Sequence, residues 1–241
     1  MYTFQSKIRY SESDSEGKLS LSSLLNYFQD CSTFQSEELG VGFRYLQERH
    51  LVWVLSSWQI VVERYPKLCE GVVTGTFPYE FKSFLGSRNF FMQTEDGRYL
   101  AKANSLWSLL NTDTMKPVVI PPEIVEKYTL EPKLAMDYAS RKIAVPEGGT
   151  TQEPLLVRRH HLDTNHHVNN GQYVNIAMEY LPQDFGGARG IRQMRAEYKM
   201  QAFLNDELYP YLVQHGNVVT VSLRNAEGKP YVNVEFIGDG E

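Results

Sequence analysis

The chain has 241 residues, 42% of them hydrophobic and 22% charged, and a formal net charge of −5 at pH 7. That length fits one large domain or two small ones, and the apolar content is enough for a sizeable core, which excludes disorder. The acidic balance offers no global attraction to nucleic acid, the apolar runs are too short or too interrupted to span a bilayer, and the N-terminus lacks a basic region followed by a hydrophobic one. Cys31 and Cys69 are too few for a disulfide framework and are expected to be reduced and buried, so the chain reads as a cytoplasmic protein.

In chain order, "IRYSESDSEGKLSLSSLLNYF" leads into a helix, with Leu21, Leu24, Leu25 and Phe28 at i, i+3, i+4 and i+7. Gly40 and Gly42 are its stop signals. Strands follow in "LVWVLSSWQIVVERYP", "EGVVTGTFPYEFKSF" and "RNFFMQTEDGRYLAKANSLWSLLN", the last folded at Asp96-Gly97. Trp53, Trp58 and Trp107 read as core aromatics. Pro121, Pro122, Pro132, Pro146, Gly148 and Gly149 then mark a connector.

The second half repeats the plan. "VRRHHLDTNHHVNNGQYVNIA" is faintly similar to the first segment, with Arg158 matching Arg9, Asp163 matching Asp14, Val168 matching Leu19 and Asn175 matching Asn26. Its helix carries Tyr173, Ile176, Ala177, Tyr180 and Leu181 on one face and stops before Pro182. "GIRQMRAEYKM", "ELYPYLVQHGNVVTVSLR" and "KPYVNVEFI" are its strands, with a turn at Glu227-Gly228. The pattern predicts two α+β units, each an antiparallel sheet wrapped around a long central helix, over residues 1–130 and 154–241, joined by a connector at 131–153.

The densest chemistry lies in "HHLDTNHHVNN", residues 160–170, which holds four of the six histidines. An extended chain would turn Asp163, Asn165 and His167 to one side and Thr164 and His166 to the other. A helix capped by Asn169 or Asn170 would bring unpaired N–H groups close to that triplet, where they suit a developing oxyanion. Metal binding by His160, His161, Asp163, His166 and His167 competes with this reading. Neighbouring strand residues point opposite ways, however, and no Cys pair or His-x-x-x-His completes a site. A polar surface accounts for His160, His161 and His166, and capping for Asn169, Asn170 and Asn175.

These residues resemble the fatty acyl-[acyl-carrier-protein] thioesterases, which have two fused hotdog domains. "LDTNHHVNNGQYV" is similar to the family's Asp-x-Asn-x-His-Val-Asn-Asn segment. "EYKMQA", "RYSESDSEGKLSLSSLLNYFQD" and "SLWSLLNTDTMKPVVIP" support it, so that the likeness covers nearly the whole chain. The resemblance implies hydrolysis of a fatty acyl thioester to free acid and holo carrier protein, with no metal or redox cofactor. A thiolate leaves readily, its pKa being near ~8.5, so activating water and stabilising the oxyanion are the demanding steps. His167 or Asp163 is the implied base and Asn165 the positioner, while attack by the Asp163 carboxylate itself stays open.

The family's glutamate on the next strand falls at Gln201, which cannot take a proton, unless the alignment slips to Glu197. Ala202 stands where some relatives carry cysteine. The first copy has Glu16 and Lys18 in place of Asn165 and His167, so the resemblance makes it non-catalytic, with Leu24, Leu25 and Phe28 lining an acyl pocket. Arg189, Arg192 and Arg195, with Arg158 and Arg159, would suit an acidic carrier protein. An acyl-CoA thioesterase of the same fold and a silent acyl- or carrier-binding module are the alternatives, and both a monomer and a homodimer fit.

Overall fold

A computed structural model describes residues 1–163, 165–183, 185–187 and 190–239. The chain divides into two units, Met1–Ser56 with Ile60–Tyr138, and Ser57–Gln59 with Ala139–Glu241.

The first unit holds β1 (Tyr2–Lys7), α1 (Leu21–Glu38), α2 (Phe43–Gln47), β2 (Leu51–Val62), β3 (Gly71–Lys82), β4 (Leu85–Thr94), β5 (Tyr99–Asn111) and α3 (Pro122–Val125). Its strand order is β1-β3-β4-β5-β2, with antiparallel pairing from β1 through β5. The turn at Asp96-Gly97 closes β4 onto β5: Gly97, at φ 87°, donates its N–H to Thr94 O at 2.9 Å. A side chain there would be strained, which is why glycine occupies it.

Helix α1 starts where the Ser20 hydroxyl accepts the Ser23 N–H. It ends as Gly40, at φ 71°, lets Val41 N–H return to Ser36 O at 3.0 Å. Its periodic face packs on β1 and β3, burying Leu21, Leu24, Leu25, Phe28 and Cys31. Each such large apolar side chain contributes about 1.5–3 kcal/mol by leaving water.

The second unit holds β6 (Thr150–Thr151), β7 (Leu155–Leu156), α4 (Asn170–Met178), β8 (Ile191–Tyr198), β9 (Glu207–His215), β10 (Val218–Arg224) and β11 (Pro230–Gly238). Strands follow the order β8-β11-β10-β9-β6, and β7 also pairs with β9. Tyr173, Val174, Ile176 and Ala177 bury the inner face of α4 against β10 and β11. The expected turn at Glu227-Gly228 is present, with Gly228 at φ 79°.

Two expectations need correction. The second helix is not long: α4 has 9 residues against the 18 of α1, and Tyr180 and Leu181 lie beyond its end in a turn. Cys69 is not buried. It is exposed at φ 65° in a tight loop, whereas Cys31 is fully enclosed and burial pushes its thiol up to about 12.

The connector is held to both units in turn. Leu134 N–H and the Tyr138 hydroxyl donate to Asn89 Oδ1 in the first unit. In the second, Ile143 N–H donates to Glu197 and Gly149 N–H to the Tyr211 hydroxyl. Among the described residues no helix is long and apolar enough to cross a membrane.

Candidate active site

The faint sequence repeat is a repeat of backbone geometry. A short 3-10 helix, Tyr10–Glu12 in one copy and Arg159–His161 in the other, precedes a tight turn whose flanks bridge Ser13 to Leu19 and Leu162 to Val168. Asp14 N–H donates to Lys18 O at 2.8 Å, and Asp163 N–H to His167 O at 3.0 Å. In each turn the aspartate Oδ1 accepts the N–H two residues on, from Glu16 at 2.9 Å and from Asn165 at 2.7 Å. Gly17 and His166 occupy the same left-handed position, at φ 70° and 63°.

The motif is therefore a hydrogen-bonded turn and not the extended strand expected from its spacing of two. The reason is local: an aspartate that captures the N–H two residues ahead bends the chain before a strand can form. Asp163 and His167 still meet, now across the mouth of the turn, with Nδ1 3.5 Å from Asp163 Oδ2 and 3.3 Å from Val168 O. Their side chains are 18% and 17% exposed. Two oxygen acceptors facing Nδ1 favour the proton there, which leaves the Nε2 lone pair available. Asn165 is exposed, and Thr164 lies outside the described residues. In the first copy a Lys18–Glu16 ion pair of 2.7 Å stands where His167 and Asn165 are.

Asn169 caps α4, its Oδ1 accepting Gly171 N–H at 2.8 Å. Asn170 N–H has no acceptor among the described residues and lies two residues past Val168. Gln201 sits in the loop after β8, not on the strand, and is half-buried. That loop runs beside the motif: Val168 N–H donates to Ala202 O at 2.9 Å, and His167 bridges to Phe203.

Glu197 does not share this setting. It is 6% exposed inside β8 and accepts from Ile143 N–H at 3.1 Å, Lys199 at 2.9 Å and Asn233 at 3.5 Å. Burial works to raise its carboxyl, but those donors together hold it below the ordinary value.

Leu24, Leu25 and Phe28 are fully enclosed in the first unit, with Phe28 against Phe90 at 5.5 Å between ring centroids. Arg195 bonds Glu235 at 2.8 Å and the carbonyls of Ser140 and Lys142, so it clamps the connector; Arg192 lies 3.9 Å from Asp239. Arg189 is outside the described residues. Periodicity placed Tyr173 on an apolar face and missed its hydroxyl, which accepts the Ala202 N–H at 2.8 Å. A visible signal existed: the first copy has Leu24 at that position. Among the described residues no cluster of three or more His, Cys, Asp or Glu side chains is arranged to hold a metal.

Residues 1–128 match the acyl-ACP thioesterase N-terminal domain, and residues 146–235 match the acyl-ACP thioesterase C-terminal domain. A chloroplastic acyl-[acyl-carrier-protein] hydrolase of Cuphea viscosissima is 25% identical over 239 residues, covering 88% of this chain and 58% of its own length. The chain thus spans little more than half the length of that relative. An acyl-ACP thioesterase from Bacteroides thetaiotaomicron has the same fold, with TM-score 0.89, 23% identity and 98% and 96% of the two chains covered. So does the 12:0-ACP thioesterase from Umbellularia californica, with TM-score 0.86, 21% identity and 98% and 96% covered. Each unit is a hotdog.

Proposed function

This chain belongs to the acyl-ACP thioesterase family, and from that premise we propose that it hydrolyses fatty acyl-[acyl-carrier-protein] to free fatty acid and holo carrier protein. The observation that carries this reading is the Asp163–His167 pair, held in a turn whose twin in the first unit has no imidazole.

In the proposed reaction His167 Nε2 takes a proton from water as its oxygen attacks the thioester carbonyl. Asp163 orients the ring and stabilises the imidazolium. Its Oδ1 is held by the Asn165 N–H, and its Oδ2 lies 3.5 Å from the ring nitrogen, placed to attract the ring as it becomes charged. Asn170 N–H and the exposed Asn165 amide are the donors nearest in the chain for the oxyanion. Its collapse breaks the C–S bond, and the proton held by His167 neutralises the departing phosphopantetheine thiolate. Gln201 orients water or carbonyl by hydrogen bonding, since it cannot act as a base. Leu24, Leu25 and Phe28 are closed off as core of the first unit, so the acyl-pocket role that the family resemblance gives them has no exposed face of α1 to rest on.

Purified protein should release free thiol from a panel of C8 to C18 acyl-ACPs faster than from the matching acyl-CoAs, with EDTA making no difference. His167→Ala and Asp163→Asn should each lower kcat by about a hundredfold while the protein stays folded. Wild-type turnover in both variants would remove the site assignment. Folded protein inert toward both carriers would favour the binding module, for which Gln201 in place of a carboxylate is the supporting feature.

A further inference from the structure

One polar contact between helix and loop in the second turn-and-loop copy has no counterpart in the first, and it identifies what the second copy needs beyond its fold. Leu19 N–H donates to Pro66 O at 2.8 Å in the first unit, as Val168 N–H does to Ala202 O in the second, so Pro66 and Ala202 are counterparts. Each loop then closes in the same way. Cys69 N–H reaches Ile8 O and Glu70 N–H reaches Lys67 O; Asn205 N–H reaches Val157 O and Asp206 N–H reaches Phe203 O. Cys69 and Asn205 take the same left-handed conformation, at φ 65° and 70°.

The first loop achieves this with a proline, which has no N–H, and a helix residue, Leu24, which has no hydroxyl. The second has Ala202 N–H donating to the Tyr173 hydroxyl at 2.8 Å, both residues being buried. The loop geometry itself therefore does not require the contact.

We infer that Tyr173 is a positioning residue for the hydrolysis proposed above: its hydroxyl fixes the main chain at Ala202 and so holds the adjacent Gln201 beside the Asp163–His167 turn. The inference rests on that reading. The first unit, with lysine and glutamate in its turn, has nothing to position and has neither partner of the contact. Tyr173 is itself held in place by Tyr198, whose ring stands edge-on at 6.1 Å and whose hydroxyl donates to Asn170 O at 2.9 Å. Burial, opposed by the Ala202 N–H and reinforced by the charges of Tyr231, Asp206 and Asp163, keeps the Tyr173 phenol well above its usual range, so it stays neutral throughout the working pH of a hydrolase.

The test compares wild type, Tyr173→Phe and the double variant Tyr173→Leu with Ala202→Pro, which installs the first unit's own pair and leaves no orphaned N–H. Steady-state hydrolysis of acyl-ACP and thermal melts are measured on each. We expect kcat to fall by about 10- to 100-fold in both variants with KM little changed, the cost of a misplaced site group. The pH profile should keep its shape, because the base remains. Tm should fall in Tyr173→Phe and recover in the double variant.

Wild-type kcat in Tyr173→Phe, or in a folded double variant, would overturn the inference while leaving the thioesterase reading intact. Should the double variant not fold, kcat against KM in Tyr173→Phe alone decides. Absence of hydrolysis by the wild-type protein overturns the parent reading and this inference with it.

Discussion

The four clustered histidines serve different ends. His167 pairs with Asp163, His166 holds a left-handed turn position, and His160 packs edge-on to His161 at 4.2 Å. His161 Nδ1 accepts the Arg158 N–H at 3.0 Å, as Glu12 Oε2 accepts the Arg9 N–H at 2.9 Å in the first copy. Burial, then His160 and Arg158, hold the His161 pKa below its ordinary 6.5. Just below that pH the unfolded chain binds more protons than the folded one, so this residue's contribution is complete above 6.5 and is lost as pH falls through the folded value. Tm should decline as pH drops below 6.5, and His161→Glu, which copies Glu12, should flatten that part of the curve. An unchanged slope would assign the decline to other groups. Composition showed the cluster, but not this division of labour, because which nitrogen meets which acceptor depends on a turn that brings together residues three and four apart.

At the scale of elements, the turn matters more than the strand it was read as. His166 and Gly17 share one backbone conformation, and a side chain there costs energy that glycine avoids. His166→Gly should raise stability by up to about 1 kcal/mol in chemical denaturation, since the new residue tolerates the left-handed angle. A loss of stability would mean that the imidazole makes a contact beyond the backbone. Both helices were legible from their apolar periodicity, and the hairpin turns at Asp96-Gly97 and Glu227-Gly228 from their dipeptides. The length of α4 was not, because Tyr180 and Leu181 continue the pattern past the point where its hydrogen bonds stop. Periodicity reports which side chains are apolar, not where the backbone ladder ends.

For the whole molecule, the long connector is an integral part of both units, and Arg195 shows why. Read from sequence as a carrier-docking cation, it is 14% exposed and has its donors on Glu235, Ser140 O and Lys142 O. Arg195→Ala should therefore destabilise the protein by about 1.5–3 kcal/mol, the worth of charge-assisted hydrogen bonds, and reduce acyl-ACP and acyl-CoA hydrolysis alike. Arg192→Glu should instead raise KM for acyl-ACP more than for acyl-CoA; equal effects would remove Arg192 from the docking surface.

The amino-acid sequence by itself determined the two-unit α+β plan, the internal repeat, the strand segments and the Asp163–Asn165–His167 motif, because each is written in periodicity, turn residues or spacing. The tertiary structure alone decided that Asp163 meets His167 across a turn, that Glu197 serves the connector, that Gln201 lies off the strand and that Tyr173 reaches Ala202. These depend on contacts between residues distant in the chain, or on a backbone bend set by a side chain, and neither leaves a period in the sequence.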